Sequence, residues 1–159
     1  DLNWHFIGSI QSKKIKSIVK YANTIQSVEK FEHIEKINKY ASQLSKQISM
    51  FLQINIDDDV NKSGFDSNQI DEVIECVEKS SALESVNVIG LMCLPAKGSI
   101  PSQSFEKMQN FYTEVNSMLD DSQKLTVLSM GMSGDYLEAI NYGSTMVRVG
   151  ISLFGERVK

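Results

Sequence analysis

Six short apolar runs alternate with amphipathic helical stretches along this chain, and most of the runs are apolar on both faces. A strand that is greasy on both sides has to be covered on both sides. Parallel sheets meet that demand, because their crossover helices pack on the faces. The expected fold is therefore α/β. Two architectures satisfy the pattern: an open doubly wound sheet, and part of an eight-stranded (β/α)8 barrel. Neither GxGxxG nor GxxxxGK[ST] occurs, so no nucleotide-binding loop favours the open sheet. The alternation by itself leaves the choice open.

The expected strands are 4–8 (WHFIG), 24–28 (TIQSV), 50–56 (MFLQINI), 86–92 (VNVIGLM), 125–129 and 146–149 (MVRV). Between them, Ile15, Ile18, Val19 and Ala22 recur at helical spacing behind Ser12, a candidate N-cap. Phe31, Ile34, Ile37, Ala41 and Leu44 mark a long second helix, with His33 just off its apolar stripe and expected in solvent. Asp66 and Gln69 resemble a capping box ahead of Ile70, Val73, Ile74 and Val77. Phe105, Met108, Phe111, Tyr112, Val115, Met118 and Leu119 form a stripe that reads as core. A short helix from Gly134 to Asn141 is stopped by Gly143.

With 159 residues the chain fits one domain, and 42% hydrophobic with 23% charged residues is ordinary for a soluble globular protein. The net charge is −4 and the basic residues are scattered, which excludes the basic stripe of a nucleic-acid binder. No apolar run approaches the roughly 18 residues that cross a bilayer. Cys76 and Cys93 have neither CxxC nor metal spacing and read as reduced, intracellular thiols of a cytoplasmic protein. Asp57-Asp58-Asp59 lacks the alternate ligand spacing of a calcium loop, so no metal is expected.

In either architecture the chemistry belongs at the carboxyl ends of the strands. Two consecutive ends stand out. One carries Ser129, Met130 and Ser133; the other carries Arg148, Gly150 and Ile151. A hydroxyl, the N–H groups around Gly150 and Ile151, and a cation inside an apolar strand suit a phosphorylated ring compound. The bland readings remain: Gly150 as a packing glycine, Ser129 bonded to a neighbouring carbonyl, and Arg148 in a structural ion pair with one of twenty carboxylates. His5, between Trp4 and Phe6, and Asn55, ending MFLQIN, are further strand-end candidates for the pocket wall. No acid or nucleophile beside them makes a catalytic set.

The strings WHFIGSIQSKKIK, QIN followed by NKSG, GLM, LSMGMSGD and GSTMVRVGISLFGER occur in this order. Together they resemble the pyridoxal phosphate homeostasis protein family, whose members carry WHFIGxLQxNK, QxN…SKSG, LSMGMSxD and GSTxVRIGxxIFGxR. The resemblance spans essentially the whole chain. It implies a (β/α)8 TIM-type barrel like the N-terminal barrel of alanine racemase, here incomplete and matching strands 3 to 8 as one domain over 1–159. It also implies a non-catalytic pyridoxal 5′-phosphate-binding protein of vitamin B6 and amino/keto acid homeostasis, a monomer or weak homodimer. By motif position, Ser129 with the Gly150-Ile151 backbone holds the phosphate, and Arg148 faces the pyridine nitrogen. A cation there disfavours protonation of that nitrogen. Ile151 stands where many members have Thr or Ser, so only a backbone contact is expected from it.

The family's Schiff-base lysine lies upstream of the residues matched here. The fourteen lysines of this chain fall in expected helices, loops or the tail, Lys62 being the nearest to a strand end. Cofactor binding is therefore expected to be non-covalent, through the phosphate and ring-nitrogen side alone. Because the chain opens at Asp1 without a methionine, it reads as the carboxyl-terminal three-quarters of such a protein. Two rival functions stay in view. A racemase-like enzyme needs a second acid/base residue opposite the lysine, and a degenerate scaffold would bind no cofactor.

Overall fold

The structure, a computed structural model, describes residues 2–156. Arg157, the end of the last motif, lies outside the described residues, as do Asp1, Val158 and Lys159. In chain order the strands are β1 (His5–Phe6), β2 (Thr24–Val28), β3 (Ile48–Asn55), β4 (Phe65–Asp66), β5 (Val86–Cys93), β6 (Val127–Met132) and β7 (Met146–Arg148). The helices are α1 (Ile15–Tyr21), α2 (Phe31–Gln43), α3 (Ile70–Ser80), α4 (Pro101–Met118), α5 (Tyr136–Asn141) and α6 (Ile151–Phe154). All strand pairs are parallel, in the order β1-β2-β3-β5-β6-β7, with β4 beside β3. The α/β expectation holds, and the sheet is a parallel half-barrel. β1 and β7 end the path and each pairs with one strand among the described residues.

The period of two decides which residues meet the helices. Ile48, Met50, Leu52 and Ile54 of β3, Leu91 and Cys93 of β5, and Leu128 and Met130 of β6 join one cluster. Ile15, Ile34, Val73, Phe105 and Val115 join it from the helices. Fully burying such a side chain stabilises the fold by about 1.5–3 kcal/mol, so this outer layer supplies most of the cohesion. The opposite face carries Gln26, Phe51, Met92 and Ser129, all buried yet outside that cluster. This concave layer underlies the site.

Several local expectations are corrected. Ser12 opens a 3₁₀ turn (Ser12–Lys14) and caps nothing; α1 begins at Ile15. Asp66 belongs to β4, not to a capping box. Its carboxylate accepts from the Asn68 backbone N–H at 2.8 Å, and α3 begins only at Ile70. This Asx turn competes with helix capping for the same oxygen. His33 is 2% exposed rather than solvated, because α2 packs it inward. Its Nδ1 has no hydrogen-bond partner among the described residues. The aspartate loop is pinned from the loop after β5 and from α4: Asp57 accepts from the Ala96 N–H at 2.7 Å and from Ser104 Oγ. No cluster of metal-ligating side chains occurs among the described residues. No helix there is long and apolar enough to cross a membrane.

Candidate functional site

A cleft of about 780 Å³ opens on the concave side, walled by β1 and β2 on one flank and by the ends of β6 and β7 on the other. Its shape starts at Gly131. There the β6–β7 register slips: Ser129 pairs with Met146, but Met132 pairs with Arg148, so three steps on β6 face two on β7. Gly131 takes the bulge at φ 94°, and a Cβ on it would stand 2.7 Å from Ala139 Cβ. Only glycine fits. The bulge brings Met132 and Ser133 to the cleft. A Schellman closure at Gly143 (φ 83°), with Ser144 N–H on Ala139 O and Gly143 N–H on Ile140 O, then returns the chain into β7.

At the mouth, two backbone N–H groups converge on one oxygen. Gly150 N–H donates to Ser133 Oγ at 3.1 Å and Ser152 N–H at 3.3 Å. Gly150 itself has an ordinary φ of −119°, and a Cβ there would meet nothing within 4 Å. Its missing side chain leaves room in the cleft and relieves no strain. Ile151 is 62% exposed and lines the same wall.

Beneath lies a polar chain that runs across the half-barrel. Arg148 Nη1 donates to Ser129 Oγ at 2.7 Å, and Nη2 to the Cys93 carbonyl at 2.9 Å. Ser129 Oγ donates to Gln26 Oε1 at 2.7 Å. Gln26 Nε2 faces His5 Nδ1 at 2.8 Å and Met146 Sδ at 3.3 Å. Phe51 meets the His5 ring edge-on, with centroids 6.4 Å apart. A buried amide or hydroxyl without partners costs about 1–3 kcal/mol; here every one is used.

Among the described residues no carboxylate lies within salt-bridge distance of Arg148, and Asp135 acts on it only from farther away, so no structural ion pair forms there. Burial lowers the guanidinium from its ordinary value, yet arginine keeps its charge at neutral pH. A cation bonded only to neutral oxygens, on the wall of a cleft, is ready for an electron-rich ligand atom. Burial likewise lowers the His5 imidazole, which favours its neutral form.

The candidates thus divide. Arg148, Gly150, Ile151, Ser133 and His5 meet around the cleft. Ser129 is fully buried one layer below, with its hydroxyl taken by Gln26 and Arg148. Met130 is turned into the helix-facing core by the strand alternation. Asn55 is not brought to the cleft: its amide exchanges hydrogen bonds with the Asp59 backbone and holds the loop after β3. Lys62 is tied to the Leu94 carbonyl at 2.7 Å and to that of Pro95, and no lysine lines the cleft among the described residues. Gln26 is the residue the sequence reading missed. A long amide in the middle of TIQSV was its one visible signal.

Comparison with known proteins identifies the fold and the family. The model of the alanine racemase N-terminal domain matches residues 2–158. The pyridoxal phosphate homeostasis protein of Synechocystis is 38% identical over 99% of this chain and 72% of its own length. PipY of Synechococcus elongatus superposes with a TM-score of 0.87 at 32% identity without pyridoxal phosphate. With pyridoxal phosphate bound, the TM-score is 0.85 at 30% identity. These two structures cover 98% of this chain and 72% and 71% of PipY. The chain belongs to the pyridoxal phosphate homeostasis protein family, within the alanine racemase N-terminal domain fold. It spans 72% and 66% of the lengths of its first two curated relatives.

Proposed function

We propose that this chain binds pyridoxal 5′-phosphate non-covalently and serves vitamin B6 and amino/keto acid homeostasis without catalytic turnover. The carrying observation is the pairing, within one cleft, of an unneutralised cation with a backbone cradle. Arg148 supplies the first; the Gly150 and Ser152 N–H groups, meeting at Ser133, supply the second. PipY, with pyridoxal phosphate bound, supports the choice of ligand.

In this reading the phosphate sits at Ser133 and the Gly150-Ile151 backbone. The oxygen that now draws both N–H groups marks where an anion oxygen gains most. Ser129, buried under the cleft, aims Arg148 rather than touching the phosphate. Arg148 donates to the pyridine nitrogen and keeps it unprotonated. The cofactor supplies an electron-withdrawing pyridine ring joined to an aldehyde; with its nitrogen unprotonated that ring is a weaker electron sink. His5 closes the far flank.

The proposal also equates the six main strands with strands 3 to 8 of an eight-stranded barrel in a single domain. It keeps the protein cytoplasmic, where the buried Cys76 and Cys93 stay thiols; burial pushes both up to about 12. Equilibrium dialysis against pyridoxal phosphate tests the proposal. Saturable binding to one site, weakened about tenfold or more in Arg148→Met, supports it; binding unaffected by that substitution refutes it.

A further inference from the structure

We infer that Gln26 is the positioning residue of this site: through Ser129 it aims the Arg148 guanidinium, and through its amide it holds His5 in the tautomer whose Nε2–H is left to donate. The inference deepens the proposed pyridoxal phosphate site and rests on it for the identity of the ligand.

The direction of the polar chain is not arbitrary. Arginine can only donate. With Arg148 Nη1 on Ser129 Oγ at 2.7 Å, the single Ser129 proton must point elsewhere, and Gln26 Oε1 receives it at 2.7 Å. That fixes which end of the amide faces which neighbour. Gln26 Nε2 is therefore the donor toward His5 Nδ1 at 2.8 Å. A neutral imidazole that accepts at Nδ1 carries its proton on Nε2. One buried amide, 2% exposed, thus converts the presence of a cation on β7 into a defined donor on β1.

Nothing else among the described residues does this. Gln26 and Ser129 are 103 positions apart in sequence, on opposite walls of the half-barrel. Ser129 is fully buried, and among the described residues the other side-chain partner of its hydroxyl is Arg148. Without the amide, the Ser129 proton has no acceptor among the described residues, and Arg148 keeps only the Cys93 carbonyl as a fixed partner. His5 loses the donor that selects its tautomer. Both residues line the cleft, so both effects reach a ligand.

Nitrogen-15 NMR on the ligand-free full chain tests the inference, with Gln26→Met and Gln26→Glu compared with the parent. In the parent, the Arg148 Nη protons are expected to exchange slowly and His5 to show the Nε2–H form. Gln26→Met is expected to speed Arg148 exchange at least about tenfold and to mix the His5 tautomers. Gln26→Glu keeps the acceptor for Ser129, so Arg148 exchange stays slow while the His5 pKa rises beside the new carboxylate. Pyridoxal phosphate affinity is expected to fall about tenfold in Gln26→Met and in Ser129→Ala. The double variant falls no further, because the two act in series. Unchanged Arg148 exchange and His5 tautomer in Gln26→Met overturn the inference, as do additive affinity losses. If Gln26→Met does not fold, fast Arg148 exchange in Gln26→Glu overturns it. If the parent binds no pyridoxal phosphate, the functional proposal fails, and the ligand-free spectra still decide the role of Gln26.

Discussion

The Arg148 guanidinium rests on the Ser129 hydroxyl at 2.7 Å and, among the described residues, on no carboxylate, so its desolvation is not offset there by an ion pair. Releasing a half-buried cation recovers its desolvation free energy, which offsets the hydrogen bonds that the Ser129 hydroxyl and the Cys93 carbonyl lose. Arg148→Met is therefore expected to leave the melting temperature unchanged or raise it, while abolishing the ring-nitrogen contact. Paired thermal unfolding and pyridoxal phosphate titration check this. Affinity should fall about tenfold or more, the worth of a hydrogen bond from a charged donor.

Gly131 and Gly150 separate folding from binding. Gly131 holds a left-handed φ with a Cβ position 2.7 Å from Ala139 Cβ, so Gly131→Ala should destabilise the protein by about 2–4 kcal/mol. Gly150 has ordinary φ and open space, so Gly150→Ala should change stability by no more than about 0.5 kcal/mol. Its methyl group would instead occupy the cleft wall and weaken binding of pyridoxal phosphate. Urea unfolding and ligand titration on both variants separate the two effects.

Ser133, not Ser129, stands where the Gly150 and Ser152 N–H groups converge. Inorganic phosphate should accordingly stabilise the parent chain in thermal unfolding, as any ligand of the folded state does. Ser133→Ala should reduce that shift while leaving Arg148 exchange untouched. Ser129→Ala should do the reverse.

His33 is buried with a lowered pKa, chiefly because burial disfavours its charged form. Its folded pKa lies below the ordinary 6.5, so the unfolded chain binds the extra proton first as pH falls. The stability associated with neutral His33 is complete above about pH 7 and is lost as pH drops through 6.5 toward the folded value. The slope is at most about 1.4 kcal/mol per pH unit for this one group. Urea unfolding at pH 7.5 and 5.5 checks it, and His33→Leu should flatten the difference.

Much of this architecture was legible in the residues. Runs apolar on both faces forced a covered parallel sheet, and TIQSV was placed to the residue as β2. The cleft members Arg148, Gly150 and Ile151 were visible because a charge and a glycine interrupt an apolar strand end. Local spacing could not separate Ser129 from Ser133. That depends on the Gly131 bulge, which turns one hydroxyl under the floor and the other to the mouth. Gln26 stayed hidden because its partners are 21, 103 and 120 positions away. His33 misled for the opposite reason: one step off an apolar stripe suggests solvent, yet α2 is covered widely enough to bury it.

Pyridoxal phosphate titration followed by borohydride reduction and peptide mapping tests non-covalent binding most directly. The expected result is saturable binding that dialysis reverses and that Ser133→Ala and Arg148→Met each weaken, with no lysine labelled stoichiometrically. A stoichiometric adduct on one lysine, or no binding at millimolar pyridoxal phosphate, would contradict it.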